Sequence, residues 1–232
     1  MIELITLDLD NTLWDVDAVI IQAEKDMRAW MAGTTPEAHA VYAGEALDTI
    51  RQEVFAEHAA MRHDLTFMRV KVLEQVYASA GYTAKESEGH ANAAFDIFFE
   101  GRNRVEFFPG AHEMLEVLAE KYHLYALTNG NADIEKAGLG AYLDGAFSSA
   151  DVGTSKPHAD MFHAPLTHLN LQPGQAVHIG DNLVDDVHGA NAVGMRTIWV
   201  NLREHERDAD DPVPDHEVPD LASIVPLLES LG

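Results

Sequence analysis

Two aspartates that lie two residues apart, Asp8 and Asp10, are the strongest candidates for chemistry in this 232-residue chain. They follow the apolar run Ile2–Leu7, which predicts a short buried strand, and open α/β sheets bind ligands beyond the carboxyl ends of their strands. The carboxylates would repel each other on a regular strand unless a cation lay between them. With Mg²⁺ there, Asp8 would remain an ionised nucleophile, while Asp10 could donate a proton to a leaving group and later activate water. The alternative interpretation is a strand end whose acids face solvent or cap a turn.

Two further motifs could bind and neutralise a phosphoryl group. Thr128 and Asn129 follow the apolar run Leu124–Leu127, and their hydroxyl, amide and backbone N–H groups suit phosphoryl oxygens. A Thr-Asn-Gly turn is also common for conformational reasons alone. Lys156, in the sequence Ser155-Lys156-Pro157, could neutralise the nucleophile and the transferred group, although an isolated loop lysine is usually only solvated.

A third apolar run, Ala176–Ile179, precedes a cluster of acidic residues. Asp181 follows this run directly and is a candidate hard oxygen ligand for Mg²⁺. Asp186 could hold Lys156 in place. The first turn of a helix also favours acidic side chains, and we interpret Asp185 in this way.

The elements that must position these motifs follow a βαβ rhythm. A helix over residues 183–193 and a fourth strand, Thr197–Val200, follow the acidic cluster, and an amphipathic helix is predicted over residues 111–118. Pro165 predicts a kink in, or a late start of, the helix that contains it. Residues 204–220, acidic and rich in proline, predict a solvated loop before a short C-terminal helix.

Helical periodicity dominates about a hundred residues after the first strand. Apolar side chains recur there every three or four positions, as in Val16, Ile20, Ala23, Met27 and Trp30. We therefore predict a catalytic core formed by residues 1–15 and 105–232 and an inserted helical cap formed by residues 16–104.

Composition excludes several classes of function. The chain has 39 acidic and 15 basic residues, and its formal net charge is −24, so nucleic-acid polymers and anionic membrane surfaces are improbable partners. It has no cysteine, which excludes disulfides and cysteine nucleophiles. The sequence shows neither a secretory signal nor a long apolar run, so we expect a cytoplasmic protein. The oligomeric state stays open.

The order of the four motifs resembles the haloacid dehalogenase superfamily across the whole chain. This resemblance implies a Rossmann-like α/β core with a parallel sheet and an inserted α-helical cap. It also implies a role for each motif: Asp8 as nucleophile, Asp10 as general acid and base, and Lys156 as charge neutraliser. Thr128 and Asn129 would bind the phosphoryl group, and Mg²⁺ would be held by Asp8, the backbone carbonyl of Asp10, and Asp181.

Within the superfamily, Asp10 favours phosphoryl transfer, because dehalogenases lack an acid at this position and their leaving halide needs no proton. The core motifs alone do not separate a phosphatase from a mutase. A phospho-accepting regulatory domain or an inactive binding protein is the alternative of another class, disfavoured by the motif order and by the complete set of catalytic positions.

Several shorter strings are similar to the bacterial flavin-pathway phosphatases, which act on 5-amino-6-(5-phosphoribitylamino)uracil and FMN. They include Thr128–Ala132, Gly138–Gly140 and the cap string His63–Arg69. A small phosphomonoester of this kind is the expected substrate, and a nucleoside 5′-monophosphate is the alternative. Candidate substrate contacts are Arg62, His63, Arg69 and Trp14, although the first three also fit an ordinary polar helix surface and Trp14 also fits a packing role.

Overall fold

A six-stranded parallel sheet forms the framework of the α/β part of the chain in the computed structural model, which describes residues 1–231. Its strands are β1 (Leu4–Leu7), β2 (His123–Thr128), β3 (Gly145–Ser148), β4 (Ala176–Gly180), β5 (Arg196–Val200) and β6 (His216–Val218). They lie in the order β3-β2-β1-β4-β5-β6, and each pairs in parallel with its neighbours. The central strands are apolar along nearly their whole length because both faces of a parallel sheet are covered.

A separate helical unit lies between β1 and β2 in the sequence. Contacts between Cα atoms divide the chain into residues 17–104 and a second unit formed by residues 1–16 with the chain from residue 105 onward. The helices of this region are α1 (Val16–Thr34), α2 (Pro36–Ala43), α3 (Ala46–Glu57), α4 (Leu65–Ser79) and α5 (Ala84–Arg102).

Side chains at helical spacing form the core of this unit. Ala23, Met27 and Met31 of α1 are buried and belong to the same apolar cluster as Phe98 of α5. Local capping sets the start of α5, where the Thr83 hydroxyl accepts a hydrogen bond from the backbone N–H of Glu86. Apolar periodicity and capping together explain why this segment is helical.

The sheet is covered by helices that follow its strands. They are α6 (Ala111–Ala119), α7 (Ser149–Val152), α8 (Ala159–Leu169), α9 (Gly189–Val193) and α10 (Ile224–Ser230). A π-helical turn, Leu183–His188, precedes α9. In residues 1–231 no helix is long and apolar enough to span a membrane.

The α/β fold, the four predicted strands and the amphipathic helix over residues 111–118 are confirmed. The predicted helix over residues 183–193 is present, and its first part is a π-helix. Helix α8 contains Pro165 and begins at Ala159, which excludes the late start and leaves the kink as a prediction. One detail was wrong: the predicted loop over residues 204–220 contains β6, which pairs with β5. Strand β6 escaped detection because it is only three residues long and buries one of them, Val218. The assignment of residues 1–15 and 105–232 as the catalytic core and of residues 16–104 as the cap stays a prediction.

Candidate active site

Strand register brings three of the four motifs side by side. Leu7, the last residue of β1, pairs with Ala126 on β2 and with Ile179 on β4. The residues that follow therefore leave the sheet at the same edge, and the backbone N–H of Asp8 donates to the carbonyl of Ile179 at 2.8 Å. Asp8 thus lies between the Thr128 turn and the Asp181 turn.

The fourth motif contributes a buried cation. Lys156 Nζ lies 2.6 Å from Asp8 Oδ1 and 2.6 Å from Asp186 Oδ1. All three side chains are buried. The predicted contact between Asp186 and Lys156 is present in this structure, and it places the lysine charge directly against Asp8.

A buried histidine contacts Asp186. His178 Nε2 lies 2.9 Å from Asp186 Oδ1, and its Nδ1 lies 2.8 Å from Thr6 Oγ1. Burial lowers the pKa of His178, and the hydrogen bond with Asp186 opposes this shift. Because a carboxylate only accepts, His178 Nε2–H is the donor to Asp186. Because Asn182 N–H donates to Asp186 Oδ2 at 2.9 Å, both oxygens of this carboxylate have partners.

Thr12 links two carboxylates that could hold a metal ion. Its hydroxyl donates to Asp8 Oδ2 at 3.3 Å and to Asp181 Oδ1 at 3.2 Å. Asp8, Asp181 and Asp186 each offer a carboxylate oxygen, and these oxygens lie within 4.8 Å of one another. Such a set of hard oxygen donors suits Mg²⁺.

The pKa values of the buried carboxyl groups are shifted in opposite directions. Burial raises the pKa of Asp8 to about 8, against the opposing attraction of Lys156, and burial with the nearby Asp186 raises the pKa of Asp181 to about 6. Burial would also raise the pKa of Asp186, but Lys156 and His178 outweigh it and the pKa is lowered. Burial alone would lower the pKa of Lys156, but Asp186 and Asp8 raise it. A single lysine therefore lies among three closely spaced carboxylates, those of Asp8, Asp181 and Asp186. The excess negative charge attracts a further cation.

The Asp10 side chain is bound by the indole of Trp14 and does not belong to the cluster formed by Asp8, Asp181 and Asp186. Trp14 Nε1 donates to Asp10 Oδ1 at 2.9 Å. The Trp14 ring is fully buried and meets Phe107 edge to face, with ring centroids 5.5 Å apart. These contacts match the packing role that the sequence also allowed for Trp14, and its contact with substrate stays a prediction.

The side chains of Thr128 and Asn129 have different hydrogen-bond partners. Thr128 Oγ1 accepts a hydrogen bond from Gly130 N–H at 2.9 Å. The Asn129 amide instead donates to the Lys156 carbonyl at 3.0 Å and accepts from Lys156 N–H at 2.7 Å. It also donates to Asp185 Oδ2 at 3.3 Å. The Asn129 side chain thus holds the lysine loop, and binding of a phosphoryl group by Thr128 and Asn129 stays a prediction.

These groups surround a pocket of about 150 Å³. It is lined by Asp8, Asp10, Asn11, Thr128, Asn129, Gly130, Lys156, Asp181, Asn182, Asp185 and Asp186. Every predicted core residue lines it. So does Asp185, which lies in the first turn of the helix as interpreted, and burial raises the pKa of its carboxyl group.

The predicted cap contacts have different environments within the helical unit. Arg69 donates to Glu24 at 3.1 Å, and its guanidinium lies 3.6 Å from the ring centroid of Phe98. Arg62 is exposed and donates to the carbonyl of Phe55, and His63 is half-buried. Their contact with substrate stays a prediction.

Sequence reasoning missed two polar residues of the network, Thr12 and His178. A signal was present for each. Thr12 follows Asp8 by four residues within the first motif, and His178 is a lone ionisable residue within the apolar run Ala176–Ile179.

Comparison with known proteins agrees with this geometry. A family model described as haloacid dehalogenase-like hydrolase matches residues 2–194. The chain is 34% identical to the 5-amino-6-(5-phospho-D-ribitylamino)uracil phosphatase YigB of Escherichia coli over 98% of this chain and 96% of that protein. It is 26% identical to a glyceraldehyde 3-phosphate phosphatase of Pyrococcus furiosus over 98% of this chain and 93% of that protein.

Among solved structures, a protein from Pseudomonas syringae pv. Tomato DC3000 described as a 2-haloacid dehalogenase matches with a TM-score of 0.94 and 36% identity over the whole of both chains. The family match and the full-length similarity to a phosphatase show that the chain belongs to the haloacid dehalogenase-like hydrolases, and that within this family it is a phosphoric monoester hydrolase.

Proposed function

We propose that this enzyme hydrolyses a small phosphomonoester through an aspartyl-phosphate formed on Asp8. The observation that carries the proposal is the pairing of two carboxylates in one pocket: Asp8 beside the Lys156 ammonium at 2.6 Å, and Asp10 with one oxygen fixed by Trp14. The first is a nucleophile in direct contact with a cation. The second is an oriented acid for the leaving group.

In the first step an oxygen of Asp8 attacks phosphorus, and the bond from phosphorus to the ester oxygen breaks. Asp10 delivers its proton to that departing oxygen, so an alcohol is released. Lys156 offsets the charge that moves from Asp8 to the phosphoryl oxygens, and the Thr128 hydroxyl binds one of those oxygens. Asn129 contributes by holding the Lys156 loop.

In the second step Asp10, now a carboxylate, takes a proton from water while the water oxygen attacks phosphorus. The bond between phosphorus and Asp8 breaks, inorganic phosphate leaves, and Asp8 returns to its carboxylate form. Asp10 is again protonated, so the cycle is balanced without an external acid or base.

Asp8 and Asp181 are the side chains that we assign to Mg²⁺, with the backbone carbonyl of Asp10 as a third ligand. Asp186 also lies within the carboxylate cluster, but both its oxygens already accept hydrogen bonds. When bound, Mg²⁺ supplies positive charge that stabilises the transferring phosphoryl group. Burial is the main cause that raises the pKa of Asp8 and of Asp181, and repulsion by neighbouring carboxylates adds to it; a bound cation would oppose both effects.

For the substrate we propose 5-amino-6-(5-phosphoribitylamino)uracil or FMN. Support comes from the full-length similarity to the phosphatase of that name and from the shared strings in the sequence. On the same basis we propose a role in riboflavin metabolism and a cytoplasmic location.

The test is Mg²⁺-dependent release of phosphate from FMN, the phosphoribitylaminouracil compound, nucleoside 5′-monophosphates and sugar phosphates. We expect turnover of the first two, loss of turnover in EDTA, and an inactive but folded Asp8→Asn variant by circular dichroism. Preference for nucleotides would replace the substrate assignment, a long-lived phosphoprotein would indicate a regulatory domain, and an active Asp8→Asn variant would refute the nucleophile.

A further inference from the structure

A second cavity adjoins the catalytic pocket on the side of β5. Its volume is about 380 Å³, and it shares Asn11, Asp181 and Asn182 with the catalytic pocket. Cavities that hold small ligands begin at about 300 Å³. The remaining lining comes largely from the end of β5 and the loop that follows it.

That loop is held in a defined conformation by Asn201. Its backbone N–H donates to the carbonyl of Val218 at 2.9 Å, and its Nδ2 donates to Glu217 Oε1 at 2.7 Å. Asn201 Oδ1 accepts from the backbone N–H of His205 at 2.8 Å, while Nδ2 also donates to the His205 carbonyl at 3.0 Å. The short segment between residues 201 and 205 is therefore tied at both ends.

Arg203 lies within this tied segment and reaches back toward the catalytic residues. Its Nη2 donates to Asn11 Oδ1 at 3.4 Å, and Asn11 directly follows Asp10. Within residues 1–231 the Arg203 guanidinium forms no ion pair. Lys156, by contrast, is paired with two carboxylates and does not line the second cavity. Arg203 does line it, so its guanidinium can donate hydrogen bonds to a group bound there.

We propose that the second cavity binds the leaving-group portion of the substrate, and that Arg203 selects leaving groups that present hydroxyl or carbonyl oxygens. This inference rests on the proposed function. Asp10 and Asn11 line the catalytic pocket together, and Asn11 also lines the second cavity, so this cavity is where we place a leaving group of several atoms. Guanidinium and amide N–H groups donate to oxygen acceptors. The Trp199 ring, only 2% exposed, offers no face for stacking, so recognition is polar.

The experiment compares two phosphate donors in the wild type, Arg203→Met and Arg207→Met. Acetyl phosphate has a leaving group too short to fill the cavity, whereas ribitol 5-phosphate carries a chain of hydroxyls. Arg207 is exposed, belongs to the same loop and does not line the cavity, so it is the matched control. A third variant, Arg203→Lys, keeps the charge.

For Arg203→Met we expect KM for ribitol 5-phosphate to rise about tenfold while kcat stays within about twofold, the pattern of lost uniform binding. Kinetics with acetyl phosphate should not change, Arg207→Met should match the wild type, and Arg203→Lys should recover part of the loss. Equal effects on both donors, equal effects of both methionine variants, or a wild type that accepts acetyl phosphate but not ribitol 5-phosphate would overturn the subsite. A wild type that releases phosphate from neither donor would instead overturn the proposed function.

Discussion

Replacing Lys156 by methionine tests how much the buried ion pairs of Lys156 with Asp8 and Asp186 stabilise the protein. Lys156 Nζ lies 2.6 Å from both Asp8 Oδ1 and Asp186 Oδ1, and its side chain is 2% exposed. Methionine would fill much of the same space but leave two buried carboxylates without their cation. Breaking a buried pair costs about 3–5 kcal/mol, and for a chain of this size each kcal/mol lowers Tm by about 2–4 °C. We therefore expect Tm to fall by about 6–20 °C.

Urea unfolding followed by tryptophan fluorescence gives the free energy directly. Of the three tryptophans, Trp14 and Trp199 lie in the core unit and Trp30 in the helical unit. A Trp30→Phe background therefore confines the signal to the unit that contains the network. The control is Lys121→Met, because Lys121 also lies 2.7 Å from a carboxylate, that of Glu229, but both side chains are largely exposed.

Exposed ion pairs contribute little to stability, so Lys121→Met should unfold at the same urea concentration as its parent. A Lys156→Met variant as stable as the Lys121→Met variant would refute the reasoning. Adding Asp186→Asn to Lys156→Met removes one of the orphaned charges and should restore part of the lost stability. If the double variant is less stable than the single one, charge burial is not the cause.

Three other perturbations test separate parts of the structure. The Asp10→Asn variant should still be phosphorylated on Asp8 by acetyl phosphate, because the leaving group of this donor needs no proton. Hydrolysis of the phosphoenzyme should slow by about 10²–10⁴-fold, so quench-flow should detect accumulated phosphoprotein. Undiminished turnover would contradict the role of Asp10. Mg²⁺ at a hundredfold excess over its Kd should stabilise the wild type by about 2.7 kcal/mol but leave Asp181→Ala nearly unchanged in calorimetric melts, whereas equal shifts in the two proteins would contradict the ligand assignment. Gly101→Ala should lower the free energy of unfolding by about 1–3 kcal/mol, because an added Cβ would lie 2.8 Å from the backbone of α1. Gly89→Ala is the control in the same helix α5; its added Cβ would have nothing within 4 Å, so the free energy of unfolding should rise by about 0.5–1 kcal/mol. Parallel thermal melts that reverse this order would count against the packing of α1 on α5.

The placement of the candidate site could be predicted from the sequence because it depends on backbone topology. Apolar runs mark the strands, and each run ends at a polar motif. In a parallel sheet such ends meet at one edge, which places Asp8, Thr128 and Asp181 together. Lys156, in a loop, is brought in by its opposite charge, which two buried aspartates attract.

The orientation of individual side chains could not be predicted in the same way. Asp185 and Asp186 lie in the first turn of the π-helical segment Leu183–His188, where acidic side chains are favoured whatever they face. Both also line the pocket that contains Asp8, which their position in the turn does not by itself predict. The Asn129 amide likewise binds the Lys156 backbone, a contact between residues 27 positions apart that no local pattern encodes.

The similarity to a protein described as a 2-haloacid dehalogenase does not decide the chemistry, because one fold hosts many reactions. An aspartate nucleophile and a nearby lysine serve either a carbon centre or a phosphorus centre. The leaving group makes the difference: a halide departs as a stable anion, whereas an alkoxide needs a proton. In this chain Asp10 lines the same pocket as Asp8, the proposed nucleophile, and the buried Trp14 indole orients the Asp10 carboxyl group. A built position for a proton donor has a use in ester cleavage and none in halide release, so the local chemistry favours the phosphatase.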